Sequence, residues 1–262
     1  MDLYVRDYEK PTKHELEAIE EQNEFFKLGI ISPEHIDPIN KYDSEVRDFV
    51  CHYRKKFPNN VIWSDELDKV AAKKEAEAFI KVLDKSRTES DIQNYIKRNR
   101  KWFIPASILK EYNFGHKENY LFPEMMLGKT YKVDYVICGR NSDGFHLLLV
   151  EFENANTSFI KKYGNGTSES VTEGYGQIFN WKIWMNENLQ LFLNEFQFTK
   201  KGIYIPISRI HYCLVVSRRK FMNDSARDRK NSLISDTKEL NIINYDRICD
   251  YISALGSGYC LL

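Results

Sequence analysis

The chain has 262 residues, is 42% hydrophobic and 14% aromatic, and carries 38 basic against 38 acidic side chains. That composition supports a core and excludes global disorder, while the zero net charge excludes a uniformly basic nucleic-acid binder. No apolar run approaches the roughly 20 residues of a membrane span, and the N-terminus lacks a charged-then-apolar leader, so a cytoplasmic protein with no membrane contact is expected.

Charge is unevenly spread. Residues 1–50 hold 13 acids and 6 bases; the rest hold 25 acids and 32 bases. An acidic front and a basic rear allow local contact with a polyanion. Cys51, Cys138, Cys213, Cys249 and Cys260 are odd in number, scattered and free of CxxC pairs, which reads as reduced, mostly buried thiols. None of the six histidines pairs with another at metal-ligand spacing in the sequence.

In chain order, a Glu-rich helix is predicted over 13–28, then a linker over 30–40 with Pro33 and Pro38. A second helix follows over 44–57, with Val46, Phe49, Val50 and Tyr53 on one stripe. Ser64 reads as the N-cap of a third helix reaching Asp84, with Asp65 and Glu66 in its first turn. Residues 1–85 thus form a helical region with a scaffolding, sensing or oligomerisation role, and 86–262 form the second domain. In the next helix, capped by Thr88, Ile92, Tyr95, Ile96 and Trp102 can face inward. Lys97, Arg98, Arg100 and Lys101 crowd its end; they satisfy the helix dipole or contact phosphate.

Two β-type runs, 131–138 and 145–153, flank a Gly/Asn/Asp/Ser connection and predict a hairpin. A turn centred between Ser142 and Asp143 sets Asp134 opposite Glu151, and strand alternation puts Glu151 and Glu153 on one face. Acids that close repel and resist desolvation, so a hard cation such as Mg²⁺ or Mn²⁺ is the natural partner. The alternative is ordinary exposed strand-end acids, paired with Lys132 or Arg140.

Residues 157–173 are polar and read as a mobile, substrate-covering loop with Lys161 and Lys162. An amphipathic helix is predicted over 174–192, carrying Gln177, Trp181 and Trp184. A buried strand over 210–216 runs into Arg218-Arg219-Lys220. A helix with Arg227, Arg229 and Lys230 follows, then a short strand at Ile242-Ile243 and a closing helix over 245–255. That order predicts an α/β domain with a mixed central sheet flanked by helices and preceded by the helical N-terminal region.

The arrangement Glu89, Asp134, Glu151 and Gln177 resembles the PD-(D/E)XK (restriction-endonuclease-like) nucleases, with Trp181 where those often carry Tyr. A closer resemblance is to the Shedu family of bacterial anti-phage proteins. It rests on Glu89 with Gln93, Tyr131-Lys-Val-Asp134, Val150-Glu-Phe-Glu153, Gly164 to Gly166, Gln177-Ile-Phe-Asn-Trp181, Ser217-Arg-Arg219 and Asn244-Tyr-Asp246, over about residues 86–255. The resemblance implies a Mg²⁺-dependent DNA endonuclease. Asp134, Glu151 and the Phe152 carbonyl would be metal ligands, Glu153 a general base or extra ligand, Glu89 a water-orienting group and Gln177 a strand-positioning one. Trp181 would support the cleft wall or stack on a base. Arg218, Arg219, Lys220, Lys161 and Lys162 are candidate phosphate contacts, and a homo-oligomer is implied. Glu153 stands where the superfamily has the lysine of Glu-x-Lys; Lys161, Lys162 or Lys182 could substitute. The competing classes are a DNA-binding or interaction protein that keeps the fold without cleaving, and a phosphoesterase acting on small nucleotides.

Overall fold

The computed structural model describes residues 2–27, 38–62, 68–115, 118–163 and 166–255. The chain divides into two compact units, Asp2–Val61 and Ile62–Leu262. The expected boundary at 85 therefore falls inside the second unit. Among the described residues no helix is long and apolar enough to cross a membrane.

The first unit contains α1 (Lys13–Lys27) and α2 (Ser44–Tyr53), the latter capped by the Asp43 carboxylate, which accepts the Val46 N–H at 2.9 Å. Ala18, Ile19, Ile39, Tyr42, Val46, Phe49 and Val50 form its core. Of the predicted α2 stripe, Tyr53 alone stays exposed. Most of the predicted linker, with Pro33, lies outside the described residues; Pro38 begins a 3₁₀ turn.

The second unit opens with α3 (Lys69–Lys85). Its N-cap is Asp68, which accepts from the Val70 and Ala71 amides at 2.8 and 2.7 Å. Ser64, Asp65 and Glu66 lie outside the described residues. Ala72, Ala76, Phe79 and Leu83 form the buried stripe of α3, which packs on the last helix and so belongs with the sheet body. Then come α4 (Glu89–Arg98), α5 (Phe103–Ala106), β1 (Asn119–Leu127), β2 (Tyr131–Asn141), β3 (Gly144–Phe152), α6 (Glu169–Glu195), β4 (Ile210–Val215), α7 (Asp224–Asp236), β5 (Leu240–Ile243) and α8 (Tyr245–Ser253).

The five strands lie in the order β1-β2-β3-β4-β5, antiparallel from β1 to β3 and parallel from β3 to β5. β1 was not expected. Its run contains Pro123 and Glu124, which disguise a strand, but β1 is an edge strand and pairs on one side only. Proline is tolerated there because its missing N–H can face away from the ladder. β3 lies at the centre, buried on both faces, and its C-terminal end is where the acids meet.

Candidate active site, a buried carboxylate cluster

Asn141 pairs with Gly144 and Tyr135 with Val150, so the turn centres between Ser142 and Asp143 as the spacing required. The paired register ends at that Tyr135–Val150 rung; the next residue, Asp134, accepts the Phe152 N–H through its Oδ2 at 2.9 Å and acts electrostatically on Glu151. Glu151 pairs with Leu214 of β4, and the Glu153 N–H donates to the Val215 carbonyl at 2.8 Å. Both glutamates are only 5% exposed. The Tyr245 hydroxyl, from the start of α8, donates to the Glu153 carbonyl at 2.6 Å and pins the strand end.

Two helices close on this end. The Asp91 carboxylate accepts the Arg87 and Thr88 amides at 2.8 and 3.1 Å, fixing where α4 begins and so where Glu89 sits. One turn on, the buried Gln93 accepts a 2.6 Å hydrogen bond from the Tyr135 hydroxyl. On α6, Glu173 and Gln177 are four residues apart and share a face. Gln177 lies beside Glu151 and weakly opposes the rise in that acid's proton affinity. Gly174 lies directly against Glu153: a Cβ there would sit 2.7 Å from the Glu153 Cγ and 2.6 Å from a Leu214 methyl. Gly174→Ala should therefore displace α6 or Glu153 and cost about 1–3 kcal/mol, the range for overpacking. Its melting midpoint should fall; an unchanged midpoint would show the contact to be slack.

Burial is the main influence on the acids. It raises Asp134 to about 6, with Glu89 adding repulsion against the opposing Phe152 hydrogen bond. Burial, then Asp134, Glu153 and Glu89, push Glu151 far above the carboxylate range. Glu153 is pushed up to about 8 by burial and by Glu89 and Glu173. Glu89 itself is raised by burial and by Glu173. The Glu151 Oε2 is buried with no hydrogen-bond partner.

The countercharge is indirect. Lys97 and Lys132 both donate to Glu124 Oε1, at 2.8 and 3.1 Å, while acting electrostatically on Asp134. Glu124 takes a left-handed backbone, φ +57°, at the rung facing Asp134, where β1–β2 pairing skips from Pro123 to Met125. Arg140 is at the other end of β2, paired with Glu118 at 2.7 Å. Neither partner foreseen for an ordinary surface ion pair therefore forms a salt bridge to Asp134 or Glu151. The set offers oxygen donors only. Among the described residues, no three His, Cys, Asp or Glu side chains are disposed to hold a metal ion together.

A family model described as "Shedu protein SduA, C-terminal" matches residues 86–249. The chain belongs to the Shedu family. The Shedu-matched segment runs from just before α4 into α8 and contains every residue of the carboxylate cluster. No curated protein matches the chain.

Within this Shedu segment the other expected residues part company. Trp181 is fully buried, so it supports the wall behind Gln177 and cannot stack on a base. Arg218 is 6% exposed, its guanidinium held by Asp246 at 3.0 Å and Asp84 at 3.1 Å; it is a structural ion-pair centre, not a phosphate contact. Arg219 turns to Asp250 at the surface, and Lys220 lies 3.7 Å from Asp84. Lys161 and Lys162 are exposed. The segment bearing them is not the loose loop expected: Ile160 bridges Thr167, Phe159 is buried, Asn156 ties to the Leu83 and Ser86 carbonyls, and 169–173 already belong to α6. Gly164 lies outside the described residues. Lys182 donates to Glu239 at 3.1 Å and is committed there.

Glu173 and Gly174 were not singled out from the sequence, and Lys97, Lys132 and Tyr245 were read there in other roles. Three had a readable signal. Lys97 is eight residues after Glu89 on one helix face, Lys132 alternates with Asp134 along a strand, and Glu173 is four before Gln177. The histidines also surprise: His146 Nδ1 and His211 Nε2 meet at 3.1 Å near the hairpin turn, and burial with His146 lowers His211 to about 4.

Proposed function

We propose that this Shedu-family chain is a Mg²⁺-dependent DNA endonuclease of the PD-(D/E)XK type, working in the cytoplasm in defence against phage. Family membership supports the defence role. The observation that carries the chemistry is the convergence of Asp134, Glu151, Glu153 and Glu89 on one strand end, with the Glu151 Oε2 buried and unpartnered. A hairpin followed by a helical crossover to a parallel strand supports the fold assignment.

Asp134, Glu151 and the Phe152 carbonyl would hold the ion. Mg²⁺ commonly uses one or two protein carboxylates and completes its shell with water and phosphate oxygens, so a site short of three carboxylates fits. Bound there, it would supply Lewis-acid polarisation of the scissile phosphate. The remaining work falls to the chain. Gln177, beside Glu151 on α6, orients that carboxylate. Glu153, held between β3 and Gly174, takes the proton of the attacking water, and Glu89 orients that water from α4. Lys132 and Lys97 bring the positive charge that Glu153 does not, standing near Asp134 through Glu124. Lys161, Lys162 and Lys220, all exposed, make backbone phosphate contacts that are salt-sensitive and indifferent to sequence. Self-association belongs to this reading; Phe179, Ile183 and Leu191 of α6 give it an exposed apolar face, and a monomer mass by light scattering would remove it.

The test is cleavage of linear and circular duplex DNA with Mg²⁺, Mn²⁺ or EDTA. Wild type should cut only with metal. Asp134→Ala should lose activity by more than about a hundredfold, since even outer-shell metal partners are worth 10–100-fold. Lys132→Met should lose cleavage while keeping its gel shift. No cleavage in either metal, with DNA still shifted in EDTA, would replace the reading with a binding-only one.

A further inference from the structure

At the β5 edge of the sheet lies a cleft of about 330 Å³, lined by Glu111, Arg219, Lys230, Asn241, Asn244 and Arg247. None of the clustered carboxylates borders it. Three cations face one acid. Two of them are partly engaged: Arg219 with Asp250, and Arg247 through Nε with Glu111 at 3.0 Å and the Tyr251 hydroxyl at 2.7 Å. A guanidinium has five N–H donors, so each keeps some for a ligand. Lys230, from α7, is different. It is half-buried, and among the described residues no hydrogen bond or ion pair holds its ammonium. Burial lowers its proton affinity, Glu111 opposing. A cation kept out of water without a partner is costly, and an anion would offset that cost.

The cleft also receives the start of α8. Asn244 caps that nine-residue helix by accepting the Arg247 N–H at 3.1 Å, so the positive end of the helix faces the same space. The Asn241 and Asn244 amides add donors and acceptors suited to an uncharged polar group. The volume falls at the lower end of the range for small-molecule sites, about 300–1,000 Å³. Duplex phosphates are reached more readily by protruding side chains such as Lys161, Lys162 and Lys220 than by a concave cleft of this size.

We propose that this cleft binds a small phosphate-bearing ligand of mononucleotide size, its phosphate held by Lys230, Arg219 and Arg247 at the head of α8. The site stands apart from the carboxylate cluster and holds whether or not that cluster cleaves DNA. Calorimetric titration of the full chain with AMP, GMP, CMP and UMP tests it, with inorganic phosphate as the bare anion and adenosine as the phosphate-free control. At least one nucleotide should bind, phosphate should compete more weakly, and adenosine should not bind. Lys230→Met should weaken binding by at least about tenfold, as loss of a charge-assisted contact does. Asn244→Asp should do the same by adding negative charge, and it keeps the cap because Asp and Asn cap equally well. Both variants should melt as wild type does, and Asp134→Ala should bind the nucleotide normally. Absence of binding by all four nucleotides would overturn the proposal, as would binding indifferent to both cleft variants. A Lys230→Met loss confined to duplex DNA would assign the cleft to a strand backbone instead.

Discussion

Glu151→Gln should raise the melting temperature of the metal-free protein at pH 8 and, in the same variant, abolish Mg²⁺-dependent cleavage. The amide keeps the shape of the side chain but carries no charge. In the wild-type chain Glu151 is 5% exposed, feels the charge of Asp134, and has one oxygen without a partner. It must hold a proton against its ordinary affinity or sit ionised among other acids, and both cost stability. Gln removes that cost, so a gain of a few degrees is expected at about 2–4 °C per kcal/mol for a unit of this size. Cleavage should fall by more than about a hundredfold, because a proposed metal ligand has gone. A lower midpoint for the variant would mean that a protein cation holds Glu151 ionised and that the cluster is an ordinary ion-pair network.

The pH dependence follows with a definite sign. Glu153 and Asp134 have folded-state affinities raised to about 8 and about 6, from 4.5 and 3.8. Below the lower values both folded and unfolded chains hold these protons, and no penalty exists. As pH rises, the unfolded chain releases them first, so it binds fewer protons than the native state and stability declines until the folded groups ionise too. Metal-free wild type should therefore lose stability between about pH 5 and pH 8. The Glu151→Gln advantage should widen over the same interval and be read by thermal melts in matched buffers with EDTA.

The hairpin register was legible because the turn residues fix it and a period of two leaves no freedom: once Asn141 faces Gly144, Tyr135 must face Val150, which brings Asp134 and Glu151 to the same end of the hairpin. The helix before it, α4, was legible from its apolar stripe of Ile92 and Ile96. β1 was hidden by Pro123, whose tolerance depends on an edge position that sequence alone does not reveal. The start of α3 is capped by Asp68, four residues beyond the Ser64 expected to cap it, since the local signal is equally good at either residue. At the site, Gly174 could not be foreseen: its role is the absence of a Cβ where α6 meets Glu153, which is a fact about distance between elements. Trp181 and Arg218 were read for chemistry because of their residue types. Their burial, which decides their roles, comes from how α6 and α8 pack.

Arg218 leads to the largest stability effect. Its guanidinium is buried between Asp246, which also accepts the Arg219 amide at 2.7 Å, and Asp84 from the end of α3. It thereby ties α3 to the first turn of α8, and the adjoining Ser217 donates to the Thr157 carbonyl at 2.6 Å. Arg218→Ala would leave Asp246, itself largely buried, with the Arg219 amide but without its charge partner. Breaking a buried pair costs about 3–5 kcal/mol; because Asp84 is half exposed and can recover water, the lower end applies here. A fall of about 6–12 °C in the melting midpoint is expected. Lys220→Ala, a few atoms away but at the surface, should change stability by less than about 0.5 kcal/mol. The pair separates structure from recognition. If Arg218→Ala melted like wild type and only the gel shift suffered, Arg218 would be a phosphate contact after all. If Lys220→Ala weakens the shift and reduces its salt slope by about one while leaving the melt alone, the phosphate contacts lie on the exposed lysines and the buried arginine holds the frame that carries them.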